Sequence, residues 1–89
     1  MTGSSSALQA SLLQQAVQLH QQGRHDPAQA LYRQVLELNP RQFDALHLLG
    51  VLARQQGDAD AAIALIGQAI AVDAGQAKAH ANLGVALLL

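Results

Sequence analysis

The chain agrees with itself when it is shifted by 34 residues. Leu12 falls on Leu46, Gln22 on Gln56, Gly23 on Gly57, and Asp26 on Asp60. Ala28 falls on Ala62, Ala30 on Ala64, Leu31 on Leu65, and Gln34 on Gln68. The same shift puts Leu49, Gly50 and Val51 on Leu83, Gly84 and Val85. The matches gather at small and apolar positions, which a repeated packing unit must hold fixed. A period of this size is that of a solenoid, whose units bury their apolar faces only by stacking on one another.

Each period reads helix, turn, helix. Leu8, Leu12, Ala16 and Leu19 recur at helical spacing up to Gln22. Gly23 follows as a residue able to take a left-handed C-cap. Asp26-Pro27 predicts the next start, with Asp26 as N-cap and Pro27 in the first turn. Ala28, Leu31, Val35 and Leu38 form the face of that second helix, and Asn39-Pro40 stops it, because the residue before proline is pushed out of the helical region. The second period follows suit. Ala45, Leu46, Leu49, Gly50 and Ala53 share one face, Gly57 breaks, and Asp58 or Asp60 caps. Ala62, Leu65, Ile66, Ala69 and Val72 continue to a turn at Asp73-Ala74-Gly75, and a fifth helix starts near Gln76 and is still running at Leu89. Gly50 and Gly84 lie inside predicted helices, where glycine costs roughly 0.5–1 kcal/mol against alanine. A cost incurred twice at one repeat position predicts close helix approach there, with Ala28 and Ala62 opposite.

These residues resemble the tetratricopeptide repeat family. The family pattern has a leucine-glycine pair in the first helix, a glycine at the turn, an alanine early in the second helix, a large apolar or aromatic residue, another small residue and an exit proline. The second repeat supplies Leu49-Gly50, Gly57, Ala62, Ile66 and Ala69; the first supplies Gly23, Ala28, Tyr32, Val35 and Pro40; the third opens with Leu83-Gly84. The departures are Gln15-Ala16 in place of the first leucine-glycine pair, Leu12, Leu46 and His80 in place of the early aromatic, and Ala74 in place of the second exit proline. The resemblance implies an all-α, right-handed solenoid of antiparallel helix hairpins, about two and a half repeats in five helices. Residues 1–7 are expected to be a disordered lead-in, followed by repeats at about 9–42, 43–76 and, in part, 77–89 of a domain over 8–89. Ala79-His80-Ala81-Asn82-Leu83-Gly84 looks like repeats that precede bacterial glycosyltransferase or sulfotransferase-like domains, including relatives of the O-linked N-acetylglucosamine transferase. In those repeats an asparagine before the leucine-glycine pair can grip a peptide backbone, and Asn82 matches it.

Composition narrows the chemistry. Net charge is -1 and only 12% of residues are charged. No basic stripe stands ready to neutralise phosphates, so nucleic acid is not an expected partner. Cysteine is absent, which removes disulfides, thiolate nucleophiles and thiolate metal sites. His20, His25, His47 and His80 lack close metal-ligand spacing, so neither a metal nor a cofactor is expected. The glycines serve helices and turns rather than a phosphate loop. Ser4, Ser5, Ser6 and Ser11 have no nucleophile-elbow context. Asp58 with Asp60 is a capping pattern before it is an acid-base pair. The opening Met1-Thr2-Gly3-Ser4-Ser5-Ser6 does not read as a secretory signal, and the apolar stretch from Leu83 to Leu89 is too short to span a bilayer. A cytoplasmic setting without a membrane partner is the expectation.

In the family, the first helix of each pair lines a concave face. Carried onto this sequence, that face holds Leu13, Val17, His20 and Gln21, then Asp44, His47, Leu48, Val51, Arg54 and Gln55, then Lys78, Asn82 and Val85. An apolar strip of Leu13, Val17, Val51 and Val85 flanked by amides and imidazoles suits an extended or helical peptide. Some members clamp a peptide C-terminal carboxylate with lysine, asparagine and arginine. Here Leu13, Val17 and Leu48 stand at clamp places and Lys78 is left as the single cation, so carboxylate-tail recognition is not expected. The valines serve equally well to pack a neighbouring subunit, and Lys78 and Asp44 read as solvated charges. The apolar run through Leu87, Leu88 and Leu89 has no partner in the pattern and predicts association, for example as a homodimer. The functional expectation is a non-catalytic scaffold for a protein or peptide ligand. The alternatives are a homo-oligomerisation module and the non-catalytic substrate-recognition region of a larger glycosyltransferase-type enzyme.

Overall fold

The computed structural model describes residues 2–88. They form five α-helices: α1 (Thr2–Gln21), α2 (His25–Leu38), α3 (Phe43–Gln55), α4 (Ala59–Val72) and α5 (Ala77–Leu87). There is no strand among the described residues. Successive helices pack as antiparallel hairpins, and α3 touches α1, α2, α4 and α5. The all-α hairpin solenoid expected from the repeat is the fold observed, with extents of 42 × 28 × 18 Å.

The two hairpin turns are built alike. Gly23 has φ +76° and Gly57 φ +82°, the left-handed region that L side chains avoid. At the first, the Gly23 amide donates to the His20 carbonyl at 3.0 Å and the Arg24 amide to Leu19 at 2.9 Å. At the second, Gly57 donates to Arg54 at 3.0 Å and Asp58 to Ala53 at 2.9 Å. Both are Schellman closures, which satisfy the last carbonyls of the helix and send the chain straight into the next one.

That closure corrects the expected start of α2. The N-cap is Arg24, which makes no side-chain capping bond, and Asp26 lies within the first turn. There its carboxylate complements the positive end of the helix dipole. Asp58, by contrast, does cap α4, accepting from the Ala61 amide at 3.1 Å. The expected lead-in also differs. Residues 2–7 belong to α1, and Met1 lies outside the described residues. No proline interrupts the run, and the Gln9 amide donates to the Ser5 hydroxyl one turn away at 3.3 Å.

Between repeats the chain turns on an Asx residue, not on proline. Asn39 and Asp73, 34 residues apart, cap α2 and α4 in the same extended conformation, with φ -148° and -146°. The Asn39 side chain accepts from the Arg41 amide at 3.1 Å, and Asp73 accepts from Gly75 at 3.1 Å. An Asx turn needs only that side-chain oxygen, which is why Ala74 can replace Pro40.

Two apolar clusters hold the stack. One joins Ala16, Ala28, Tyr32, Leu49 and Leu52, with Leu13, Val17 and Leu48 against it. The other joins Ala53, Ala62, Ile66, Ala79 and Ala86. Tyr32, Val35, Leu52 and Ile66 are the largest side chains wholly removed from solvent, each worth about 1.5–3 kcal/mol of burial. Gly50 is where α3 and α4 approach. A Cβ there would stand 2.6 Å from Ile66 Cγ1 and 3.2 Å from the Ile66 backbone nitrogen. The opposing residue is therefore Ile66 with Leu65, not Ala62 as expected. Gly84, at the same repeat position, has nothing within 4 Å of its own Cβ site.

Candidate functional site

The first helices of the three repeats, α1, α3 and α5, lie side by side along one face. Between α1 and α3 this face carries a concavity of about 400 Å³. Val17, His20 and Gln21 line it from α1, Leu48, Val51 and Gln55 from α3, and Tyr32 from α2. None of these seven side chains is a lysine, arginine, aspartate or glutamate.

The polar end of the concavity is a fixed chain of hydrogen bonds. His20 Nε2–H donates to Gln55 Oε1 at 2.7 Å. His20 Nδ1 then accepts from the Tyr32 hydroxyl at 2.9 Å. The Tyr32 ring is fully buried and meets His20 edge-on, with centroids 5.8 Å apart. Burial pushes the Tyr32 phenol up to about 12, so it remains a donor at any ordinary pH. The arrangement leaves the Gln55 Nε2 amide group as an N–H donor beside the apolar floor.

A second imidazole–amide pair bridges α3 and α5. Asn82 Nδ2 donates to His47 Nε2 at 2.8 Å. His47 is 8% exposed and lies against Phe43, ring centroids 5.6 Å apart. Burial lowers its pKa below 6.5, the nearby Asp44 carboxylate raises it, and Lys78 lowers it again. Neutral His47 is the form that can accept from Asn82.

The expected groove residues thus divide into sets. Val17, His20 and Val51 come together in the concavity. His47 and Asn82 come together in the neighbouring seam, with His47 buried rather than open to a ligand. Leu13 packs against the first core cluster. Arg54 is half-buried, and its Nε is enclosed without a hydrogen-bond partner among the described residues. Asp44 and Lys78 are exposed, as is Val85. Leu87 and Leu88 are exposed at 63% and 88%, and Leu89 lies outside the described residues. The repeat pattern assigns Tyr32 a structural repeat position alone. Its hydroxyl also organises the groove, for which the signal is the exchange of Ile66 for tyrosine at the repeat position nearest His20. His80, an early-aromatic replacement, donates from Nε2 to the Ala74 carbonyl at 2.8 Å and so ties α5 to its preceding turn.

The model of the tetratricopeptide repeat matches residues 13–71 and, in a second register, 49–89. The chain belongs to the tetratricopeptide repeat family. Repeats of this family generally mediate protein–protein interaction. No curated protein matches the chain in sequence. Among solved structures 41 chains match. One is a mutant of the O-GlcNAc transferase of Thermobaculum terrenum, to which the tetratricopeptide chain is similar with a TM-score of 0.92 and 33% identity. That likeness covers 94% of this chain and 16% of the transferase. Among the described residues no helix is long and apolar enough to cross a membrane, and no three His, Cys, Asp or Glu side chains gather as a metal site.

Proposed function

We propose that this module holds an extended, uncharged segment of another protein along the face formed by α1, α3 and α5. The observation that carries the reading is the concavity of about 400 Å³ between α1 and α3. Its Val17, Leu48 and Val51 floor takes an apolar side chain. Gln55 and Gln21 offer amide groups to the backbone of the same segment. An ionised side chain would be desolvated there without a counter-charge, which is costly. The module itself acts by binding rather than by chemistry. The likeness to part of an O-GlcNAc transferase supports a place as the substrate-recognition region of a larger glycosyltransferase-type protein. Asn82, matching the backbone-gripping asparagine of such repeats, continues the same track onto α5.

The test is an array of twelve-residue peptides with apolar, acidic or basic centres, probed with the folded 89-residue chain and with Val51→Lys. Peptides with apolar, uncharged centres should be retained, and the variant should lose them while keeping its helical circular dichroism. Equal retention by both proteins, or a preference for acidic centres, would sink the reading.

A second reading rests on α5. Val85 and Leu87 of α5 and Leu88 just after it expose apolar side chains, 44%, 63% and 88% exposed. Burying them against a second copy would make the module a homodimer. Sedimentation equilibrium from micromolar to hundreds of micromolar decides this, since a constant monomer mass of 9.3 kDa excludes it.

A further inference from the structure

We infer that His47 is a positioning residue that sets which end of the Asn82 amide the groove sees, and that its protonation reverses that end. The inference rests on the reading of the face as a peptide groove only for its consequence. The pair itself stands on geometry.

Asn82 occupies on α5 the place that Leu48 occupies on α3, 34 residues earlier, and Leu48 lines the concavity. Asn82 is half-buried and its Nδ2 is 2.8 Å from His47 Nε2. An asparagine amide has a donor end and an acceptor end on opposite sides of Cγ. While Nδ2 is held by His47, Oδ1 is the end left for a ligand, so Asn82 accepts from an N–H.

A proton on His47 Nε2 removes the lone pair that receives Asn82. The buried N–H then requires an acceptor, because an unsatisfied buried donor, charged at that, is costly. Asn82 Oδ1, brought round by a half-turn of the amide already at 2.8 Å, supplies one. Nδ2 would then face the groove, and a ligand N–H that had bonded to Oδ1 would meet a donor. The charged groups around His47 are Asp44 on its own helix and Lys78 on α5. They oppose one another, and burial among Phe43 and the helix seam decides for the neutral ring. The sign for stability follows. A folded-state pKa held below 6.5 gives stability that is full above about 6.5 and declines as pH falls through the folded value.

The test is nitrogen-15 NMR of the 89-residue chain between pH 8 and pH 4, following the His47 ring nitrogens and the Asn82 side-chain amide. At pH 8 His47 should carry its proton on Nδ1, and its midpoint should fall below 6.5. The Asn82 amide signals should move with that same midpoint. Asn82→Asp replaces the donor by a carboxylate that favours the imidazolium, so it should lift the His47 midpoint above 6.5. An Nε2-protonated ring at pH 8, an Asn82 amide that ignores the His47 midpoint, or an unmoved midpoint in Asn82→Asp would each overturn the inference. None of these readouts uses a peptide, so failure of the peptide array would leave them standing, and their failure would leave the array untouched.

Discussion

Leu49-Gly50 and Leu83-Gly84 are the same dipeptide at the same place in successive repeats, and they do different things. Leu49 is buried and Gly50 is pressed by Ile66 of α4. Leu83 is only half-buried and Gly84 faces open space. The difference is not in the residues but in what the chain places opposite. Helix α3 has neighbours on both sides, whereas α5 rests on α4 and the edge of α3. A repeat position carries a constraint only where a second helix arrives to impose it.

The largest effect expected from this contrast is at Ile66, whose side chain is wholly buried against Gly50. Ile66→Ala should cost about 2–5 kcal/mol, the range for deleting a large buried side chain, read by urea denaturation. Gly50→Ala should cost about 1–3 kcal/mol as overpacking, since Ile66 Cγ1 sits at the root of its side chain and cannot swing clear. Made together, the two should be markedly less than additive, because the first removes the atom that the second strikes. Strict additivity would mean that Gly50 is kept for some reason other than Ile66.

Much of the fold was legible because the repeat states it more than once. Gly23 and Gly57 announce left-handed turns, and Ala28 and Ala62 announce close packing, from their type alone. What the sequence did not yield depends on who stands opposite whom. That Ile66 rather than Ala62 meets Gly50 is a matter of helix crossing, which periodicity does not fix. That His47 is buried against Asn82, 35 residues away, needs the α3–α5 seam. The turn after α4 lacks the exit proline of the pattern, yet Asp73 forms it with a carboxylate oxygen, the role that Asn39 takes after α2. At the site, Val17 and Val51 were legible from the register of the first helices. The Tyr32–His20–Gln55 chain crosses three helices and was not.

The two hairpin turns sharpen the comparison at a smaller scale. Arg24 and Asp58 have nearly the same backbone angles, φ -89° and ψ 78° against φ -92° and ψ 82°. Only Asp58 finds a capping partner, the amide of Ala61. The residue at the equivalent place after Arg24 is Pro27, which has no amide hydrogen to give. Asp58→Ala should therefore cost about 1 kcal/mol. Arg24→Asp should recover less than half of that, because its natural partner is missing. Thermal denaturation of the two variants checks both, and a full gain from Arg24→Asp would show that the amide of Asp26 can serve instead.

A comparably small expected effect bears most on function. Gly84 pays the helical penalty of glycine, and a Cβ at that position would meet nothing within 4 Å. In the isolated module Gly84→Ala should therefore raise stability by about 0.5–1 kcal/mol, the opposite sign from the same substitution at Gly50. The measurement is urea denaturation at two protein concentrations well apart. A gain that does not depend on concentration means that α5 meets solvent in the free module. A loss that grows with concentration means that another copy lies over Gly84 as Ile66 lies over Gly50, and the exposed Val85, Leu87 and Leu88 then belong to an interface rather than to a groove.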